Sequence, residues 1–309
     1  MAIRNRKRNV NGILLIDKRI HQSSNQTLQE AKNIYQANKA GHSGTLDVLA
    51  SGLLPICFGE ATKVSQYLLR ERKSYLCRFA FGMTTGTGDL EGDVLSRHRT
   101  DFLSEELVIK ATENFLGRIL QVPPMYSALK RKGVPLYKLA RRGLEVQREA
   151  REVEIYRFDM LGFSKFSARF NIECSKGTYI RKLAEDLGEE LGCGACVAAL
   201  RREHVGMYEV GQAHSLTDLK YIFDSQDFAG LDSLLLPIDG ALSGLPSVSV
   251  SSEQRIKLEM GQQVIANENN LSGVARLYDA EGNFFGIGER LATGFLAARR
   301  MIKGAVDAE

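Results

Sequence analysis

Apolar positions recur at two spacings along the chain, and the switches between them mark its elements. GILLIDK (12–18) is an unbroken Ile/Leu run too short for a helix and reads as a buried strand. SSNQTLQEAKNIYQ then places Leu28, Ala31 and Tyr35 at helical spacing, with Ser24 or Asn25 where an N-cap belongs. Residues 53–69 give a strand-like piece followed by a helix, and SYLCRFAFGM (74–83) reads as a strand from its aromatic content. TTGTGDLEGD is a Gly, Thr and Asp loop. In PLYKLARRG, Leu136, Leu139 and Ala140 share one helix face, Lys138, Arg141 and Arg142 the other, and Gly143 stands ready to stop the helix. An alternating strand at 168–174 passes through a Lys-Gly turn into a helix carrying Ile180, Leu183, Ala184 and Leu187. Near residue 240 the chain turns rich in Gly, Ser and Pro. Beyond it, runs at 273–278 and 284–288 flank a turn signal at 280–283, a hairpin pattern. The pattern predicts a mixed α and β body and a small β-rich domain from about residue 248.

Length and composition narrow the setting. At 309 residues and 44% hydrophobic content the chain can bury a full core, and two domains are expected. Five scattered cysteines and no opening signal segment point to a reducing cytoplasm rather than a disulfide framework. No run reaches the roughly 18 apolar residues of a spanning helix, so no membrane is expected as a partner.

The net charge is only +4, but it is unevenly placed. Residues 124–151 hold eight Lys or Arg against two acids, with Tyr126 and Tyr137 interleaved. Rings for stacking among cations that neutralise phosphates are the equipment of an unpaired nucleic-acid site, whereas a solvated helix face needs only the charges. Arg4, Arg6, Lys7 and Arg8 form a second cluster, readable as a solubilising tail or a phosphate-contacting arm.

Candidate chemistry centres on GHSGTLDVLASG (41–52), where Asp47 stands among small residues. Gly44 and Gly52 give backbone freedoms that an ordinary salt bridge does not require, so something is expected to approach closely. No phosphate-binding GxxxxGK[ST] loop, HExxH or GxSxG is present, which leaves nucleotide hydrolysis, zinc peptidase work and serine hydrolysis without a signature. The five histidines show no metal-ligand spacing, and Cys193-Gly-Ala-Cys196 lacks a second ligand pair, so no metal site is expected.

Five blocks in order, AGHSGTLDVLASGLLPICFGEATK, KSYLCRF, GTGDLEGD, PPMYSALKRKGVPLYKLARRG and CSKGTYIRKLAEDLGEELGCGACVAALRR, resemble the TruB family of tRNA pseudouridine synthases over essentially the whole chain. The resemblance implies an α+β pseudouridine synthase fold with a mixed, largely antiparallel central sheet (1–247). A basic thumb-like insertion at about 124–152 and a PUA-like RNA-binding barrel at 248–309 complete the expected organisation. It implies isomerisation of the uridine at position 55 in the TΨC arm of tRNA, with no cofactor, no metal and no guide RNA, by a monomer.

By the same resemblance Asp47 is the catalytic aspartate, Tyr75 lies against the target base, and Arg181 pairs with Asp47. His42, Tyr179 and Leu200 belong to the nucleotide pocket, Lys63 and Asp89 support it, and Lys130 and Arg141 lie on the thumb. Tyr179 and Arg181, two apart, would share a side of an extended turn but not of a helix, so the helix is expected to begin after them. Gly41, Ser43 and Gly44 are expected to let the RNA backbone come close. The chain departs from the family where Val48 replaces proline after the aspartate, and where Lys18 is followed by Arg19-Ile20-His21 rather than a Pro-x-Gly turn. These departures keep a second reading open, a tRNA-binding or folding module without catalysis.

Overall fold

The computed structural model describes residues 7–265 and 273–303. Arg4 and Arg6 of the basic arm lie outside the described residues. Arg8 is not free for a phosphate: it pairs with Asp232 and lies 4.8 Å from the centre of the Phe228 ring.

The chain opens with β1 (Gly12–Lys18) and α1 (Ser24–Ile34), then β2 (Ala40–His42), β3 (Ala50–Phe58), α2 (Ser65–Arg70) and β4 (Lys73–Phe81). A hairpin of β5 (Met83–Thr85) and β6 (Val94–Arg97) precedes α3 (Glu105–Glu113) and β7 (Gly117–Gln121). The basic segment leaves the sheet as a short excursion, β8 (Lys130–Arg131), β9 (Val134–Pro135) and α4 (Leu136–Ala140). Next come β10 (Arg151–Ser164), β11 (Ser167–Cys174), α5 (Ile180–Glu190), β12 (Ala195–Val205), β13 (Tyr208–Glu209), α6 (Leu216–Asp224) and α7 (Phe228–Ser233).

The central sheet runs β1-β3-β12-β4-β11-β10-β7, with β2 added to β3 and β13 to β12. Its pairs are antiparallel except β12 with β3, where Leu200 faces Ala50. The unbroken apolar run of β1 is explained by burial on both sides. Leu14 and Ile16 join the main core with Phe79, Phe158, Phe170 and the inner face of α5, while Ile13 and Leu15 join a second core with Val64 and Leu68. Four rings, Phe79, Phe115, Phe158 and Phe170, form edge-on and tilted contacts that seat α3 on the sheet.

The helix after β1 is capped one residue earlier than its sequence suggests. Ser23, not Ser24 or Asn25, is the N-cap: its hydroxyl accepts from Gln26 N–H at 3.2 Å, and Gln26 Oε1 accepts from Ser23 N–H at 2.9 Å. Ser24 is committed elsewhere, accepting from Leu46 N–H at 2.8 Å and donating to Leu46 O at 3.0 Å. That double bond fixes the residue next to Asp47.

The remaining strands make a separate curled sheet in the order β14-β16-β17-β18-β15: β14 (Ser247–Ser249), β15 (Val264–Ile265), β16 (Gly273–Tyr278), β17 (Phe284–Arg290) and β18 (Phe295–Met301), with α8 (Ser252–Glu259) across it. It has its own core around Leu258, Leu277, Phe285 and Leu296. Ile287 and Ile302 reach into the second core of the larger unit, so the two units share apolar surface. Among the described residues no helix is long and apolar enough to cross a membrane.

Candidate active site

The loop between β2 and β3 carries Asp47, and the first turn of α5 carries Arg181. Arg181 donates Nε to Asp47 Oδ2 and Nη2 to Asp47 Oδ1, both at 2.9 Å, a bidentate pair between residues 134 apart. The same guanidinium donates to Thr87 O and Tyr126 O at 2.8 Å each, and its Nε lies 3.8 Å from Asp89 Oδ2. Its side chain is 5% exposed, whereas that of Asp47 is 37% exposed. The carboxylate is therefore locked from behind by a buried cation and open in front, which is how a group that must meet an incoming reactant is presented.

The helix does not begin after Arg181. It begins at Ile180, with Tyr179 as an extended N-cap whose N–H donates to Gln121 Oε1 at 3.0 Å. An N-cap residue lies outside the helical spacing, so Tyr179 and Arg181 converge on one region although only one of them is helical. Burial pushes the Tyr179 phenol up, against the opposing pull of Ser127, Arg151 and Arg181.

Tyr75 is buried on β4 directly opposite Arg202 of β12. Burial pushes its phenol up to about 12, and Asp47 contributes in the same direction, so the two residues sense each other. Leu200 sits two residues before Arg202, buried against Ala50 and Cys77. Asp89 is buried and accepts from Glu91 N–H at 3.1 Å, which holds its loop behind Arg181.

His42 ends β2, half-buried, and its Nδ1 has no hydrogen-bond partner. Burial, aided by the charge of Arg202, holds its pKa below the ordinary imidazole value, so the ring is neutral at pH 7.

Lys63 belongs elsewhere. Its Nζ donates to Glu60 Oε2 at 2.5 Å and to Met301 O at 2.9 Å, and Glu60 Oε2 also accepts from Lys303 N–H at 2.8 Å. It ties the smaller unit to the turn after β3 and does not support the Asp47 pocket. Lys130 and Arg141 are exposed on the excursion, with Arg141 5.7 Å from the centre of the Tyr137 ring.

The small residues around Asp47 accommodate protein as much as any ligand. Ser43 is fully buried and donates to Ser65 O at 3.2 Å, so it presents no surface. Gly44, at φ +81°, lies where an added Cβ would sit 3.3 Å from Arg202 Nη1. Gly52, at φ +100°, would put a Cβ 2.3 Å from Arg202 O. Gly44 makes room for the Arg202 guanidinium and Gly52 for the backbone of the same residue; the sequence reading passed over Arg202 along with the buried lysines Lys18 and Lys73. Burial pushes the ammonium of each lysine down to about 8. Nothing in the local pattern distinguishes Arg202 from its exposed-looking neighbour in LRR; the signal available was the pair of glycines.

Comparison with known proteins agrees with this arrangement. Residues 32–180 match the TruB family pseudouridylate synthase N-terminal domain, 181–243 the tRNA pseudouridylate synthase B C-terminal domain, and 246–302 the C-terminal model of pseudouridine synthase II TruB. The tRNA pseudouridine synthase B of Coxiella burnetii is 46% identical over 297 residues, 96% of each chain. That of Haemophilus influenzae is 46% identical over 285 residues, 92% of this chain and 91% of the relative. Among solved structures, a chain of a Cbf5-Nop10-Gar1 complex superposes with a TM-score of 0.73 at 23% identity, covering 94% of this chain and 85% of the other. That likeness establishes the fold, a mixed sheet with a curled β unit at its end. With Asp47 and Arg181 locked together at the mouth of that fold and near-half identity along almost its full length, the chain belongs to the TruB family of pseudouridine synthases.

Proposed function

We propose that the protein converts the uridine at position 55 of the TΨC arm of tRNA into pseudouridine, with Asp47 as the reacting carboxylate. The observation that carries the reading is the bidentate Asp47–Arg181 pair, closed behind and open in front. The relatives named tRNA pseudouridine synthase B supply the substrate class.

The chemistry sets what the pocket must do. The N1–C1′ bond of the uridine breaks, the ring turns, C5 bonds to C1′, the C5 proton leaves, and N1 takes up a proton, so that substrate and product are isomers. The target base is stacked inside a folded arm and must be flipped into a pocket, where water has to be kept from the reactive centre. Asp47 meets the base–sugar junction, with Arg181 fixing both of its oxygens. Tyr75 and Leu200 form the apolar floor on which the base turns, and Tyr75, in its ionised form, takes the proton from C5 in the last step. His42, neutral and half-buried at the end of β2, is assigned to the flipped nucleotide, although its unpartnered Nδ1 is itself buried and would have to be uncovered to meet it. Tyr179 flanks it.

In this reading residues 1–247 are the catalytic unit, 248–309 a PUA-like RNA-binding unit, and 124–152 a thumb that grips phosphates through residues such as Lys130 and Arg141. The protein works in the cytoplasm as a monomer, without cofactor, metal or guide RNA. The intact Asp47–Arg181 geometry speaks against a module that binds tRNA without reacting. Pseudouridine mapping on an unmodified tRNA transcript, with wild type and Asp47→Asn and no added metal or nucleotide, tests the proposal. Modification of the TΨC-arm uridine by wild type alone is expected; tight binding with that uridine unchanged would overturn it in favour of the binding module.

A further inference from the structure

Arg202 heads the fully buried side chains in volume, and among the described residues it has no carboxylate partner. Nε donates to Leu53 O at 2.8 Å and Nη2 to Gly44 O at 3.1 Å. Among the described residues, the groups capable of negative charge that act on it are the Tyr75 phenol and the Cys174 thiol. Two more cations lie close by: the charge of Arg202 adds to burial in holding both Lys73 and Lys18 below the ordinary lysine range. Sinking a guanidinium into the protein with only neutral acceptors is strongly unfavourable, and a fold that needed only to bridge two carbonyls has no use for the charge.

The geometry shows where that charge is aimed. Arg202 faces Tyr75 across β12 and β4, while its guanidinium holds the carbonyl of Gly44, three residues before Asp47. Gly44 leaves room for that guanidinium, and Gly52 lets β3 close on the backbone of Arg202 itself. One side chain thus spans the floor of the pocket and the loop of the reacting carboxylate.

We propose that Arg202 is a positioning residue acting through Tyr75: it fixes the phenol oxygen relative to the Asp47 loop and favours its ionised form, the form that can accept the C5 proton. The inference rests on the reading of Tyr75 as the residue against the target base. Three groups from three elements face the phenol: Arg202 of β12 favours its ionised form, and Cys174 of β11 and Asp47 of the loop oppose it.

The first test needs no activity. With 3,5-difluorotyrosine at position 75, whose phenol ionises where the fold survives, fluorine NMR follows its titration in the full-length protein. Replacing Arg202 by Met is expected to raise the apparent pKa by at least about one unit, with Arg202→Lys between that variant and wild type.

The second test is single-turnover modification of unmodified tRNA by Tyr75→Phe, Arg202→Met and the double variant. Arg202→Met should slow the step by roughly thirtyfold with tRNA affinity changed by less than about threefold, and should cost less than about threefold when Tyr75 is already Phe. If Arg202→Met does not fold, Arg202→Lys replaces it in both tests. An unmoved phenol titration, or an equal loss in the Tyr75→Phe background, would overturn the proposal and leave Arg202 as a brace for Gly44 and Leu53. A wild type that leaves tRNA unmodified defeats the functional reading, while the NMR titration still decides the role of Arg202.

Discussion

The backbone N–H of His21 donates to the carbonyl of Val48 at 2.8 Å, and this bond joins the two places where the chain departs from the usual family pattern. His21 adopts φ +64°, a left-handed conformation that histidine tolerates better than most residues. The turn before it is closed by Lys18, whose buried Nζ donates to Arg19 O at 2.9 Å and Gln22 O at 2.5 Å. With Ser24 holding Leu46, the residues on both sides of Asp47 are tethered to the segment 21–24. Proline and its turn are absent, and hydrogen bonds between the two altered segments take over their work.

Restoring the proline should therefore change little. Val48 has φ on the negative side and its N–H makes no hydrogen bond among the described residues, while its carbonyl, which holds His21, is kept by proline. Val48→Pro should modify tRNA within about threefold of wild type and melt at the same temperature or slightly higher, by up to about 1 kcal/mol of stability. A rate loss above about tenfold would mean that Asp47, as the residue before proline, uses a backbone conformation that proline forbids.

The smaller unit should be selectively acid-sensitive through Asp279. This buried carboxylate accepts from Asn283 N–H at 2.7 Å, Glu281 N–H at 3.1 Å and Arg255 Nη1 at 2.7 Å. Burial opposes its charge, but Asn283, Arg255 and Glu281 together hold its pKa below the ordinary aspartate value. A carboxyl depressed in the folded state stabilises that state above its unfolded pKa near 4, and the contribution disappears as pH falls through the lower folded value. Asp279→Asn should lower the melting temperature at pH 7, and the gap to wild type should close as the pH falls below about 4. A gap of constant size from pH 7 to pH 3 would show that the amide, not the charge, is what matters.

How far the sequence could be read follows from how local each signal is. The run at 12–18, the alternation at 168–174 and the helical spacing of Ile180, Leu183 and Leu187 all match observed elements, because each records burial of a face by its own residues. The Asp47–Arg181 pair came from resemblance, since no local pattern links positions 134 apart. Lys63 was misplaced because its partners, Met301 and Glu60, belong to an interface between units that a loop motif does not record. Arg202 was missed because a buried arginine looks like a surface one until Gly44, distant in sequence, is known to border its guanidinium. The helix at Arg181 began early because an N-cap escapes the periodicity used to locate it.

Arg181→Lys should separate orientation from charge. An ammonium keeps the positive charge behind Asp47 but cannot serve two carboxylate oxygens together with Thr87 O and Tyr126 O. Single-turnover modification is expected to fall by about a hundredfold, while tRNA affinity stays within about threefold. A lysine variant as fast as wild type would reduce the pair to a simple counter-ion and remove the geometric argument for it.

The excursion at 124–152 should act on binding rather than on chemistry, and its anchoring explains why. Its root is tied to the centre, since Tyr126 O accepts from Arg181 Nη2 at 2.8 Å, whereas Lys130, Lys138 and Arg142 further along are exposed and, among the described residues, have no acidic partner. Phosphate contacts by such residues release counterions, so affinity should weaken with salt by a log-log slope of about −0.7 for each contact with an unpaired strand. The variant carrying Lys130→Gln and Arg141→Gln should lose about 1.4 of that slope and bind more weakly at low salt, while the rate at saturating tRNA stays within about twofold because Tyr126 is untouched. Equal slopes for wild type and variant would show that these charges face solvent in the complex. A loss of rate at saturation would show instead that the tip, like the root, bears on the Asp47–Arg181 pair.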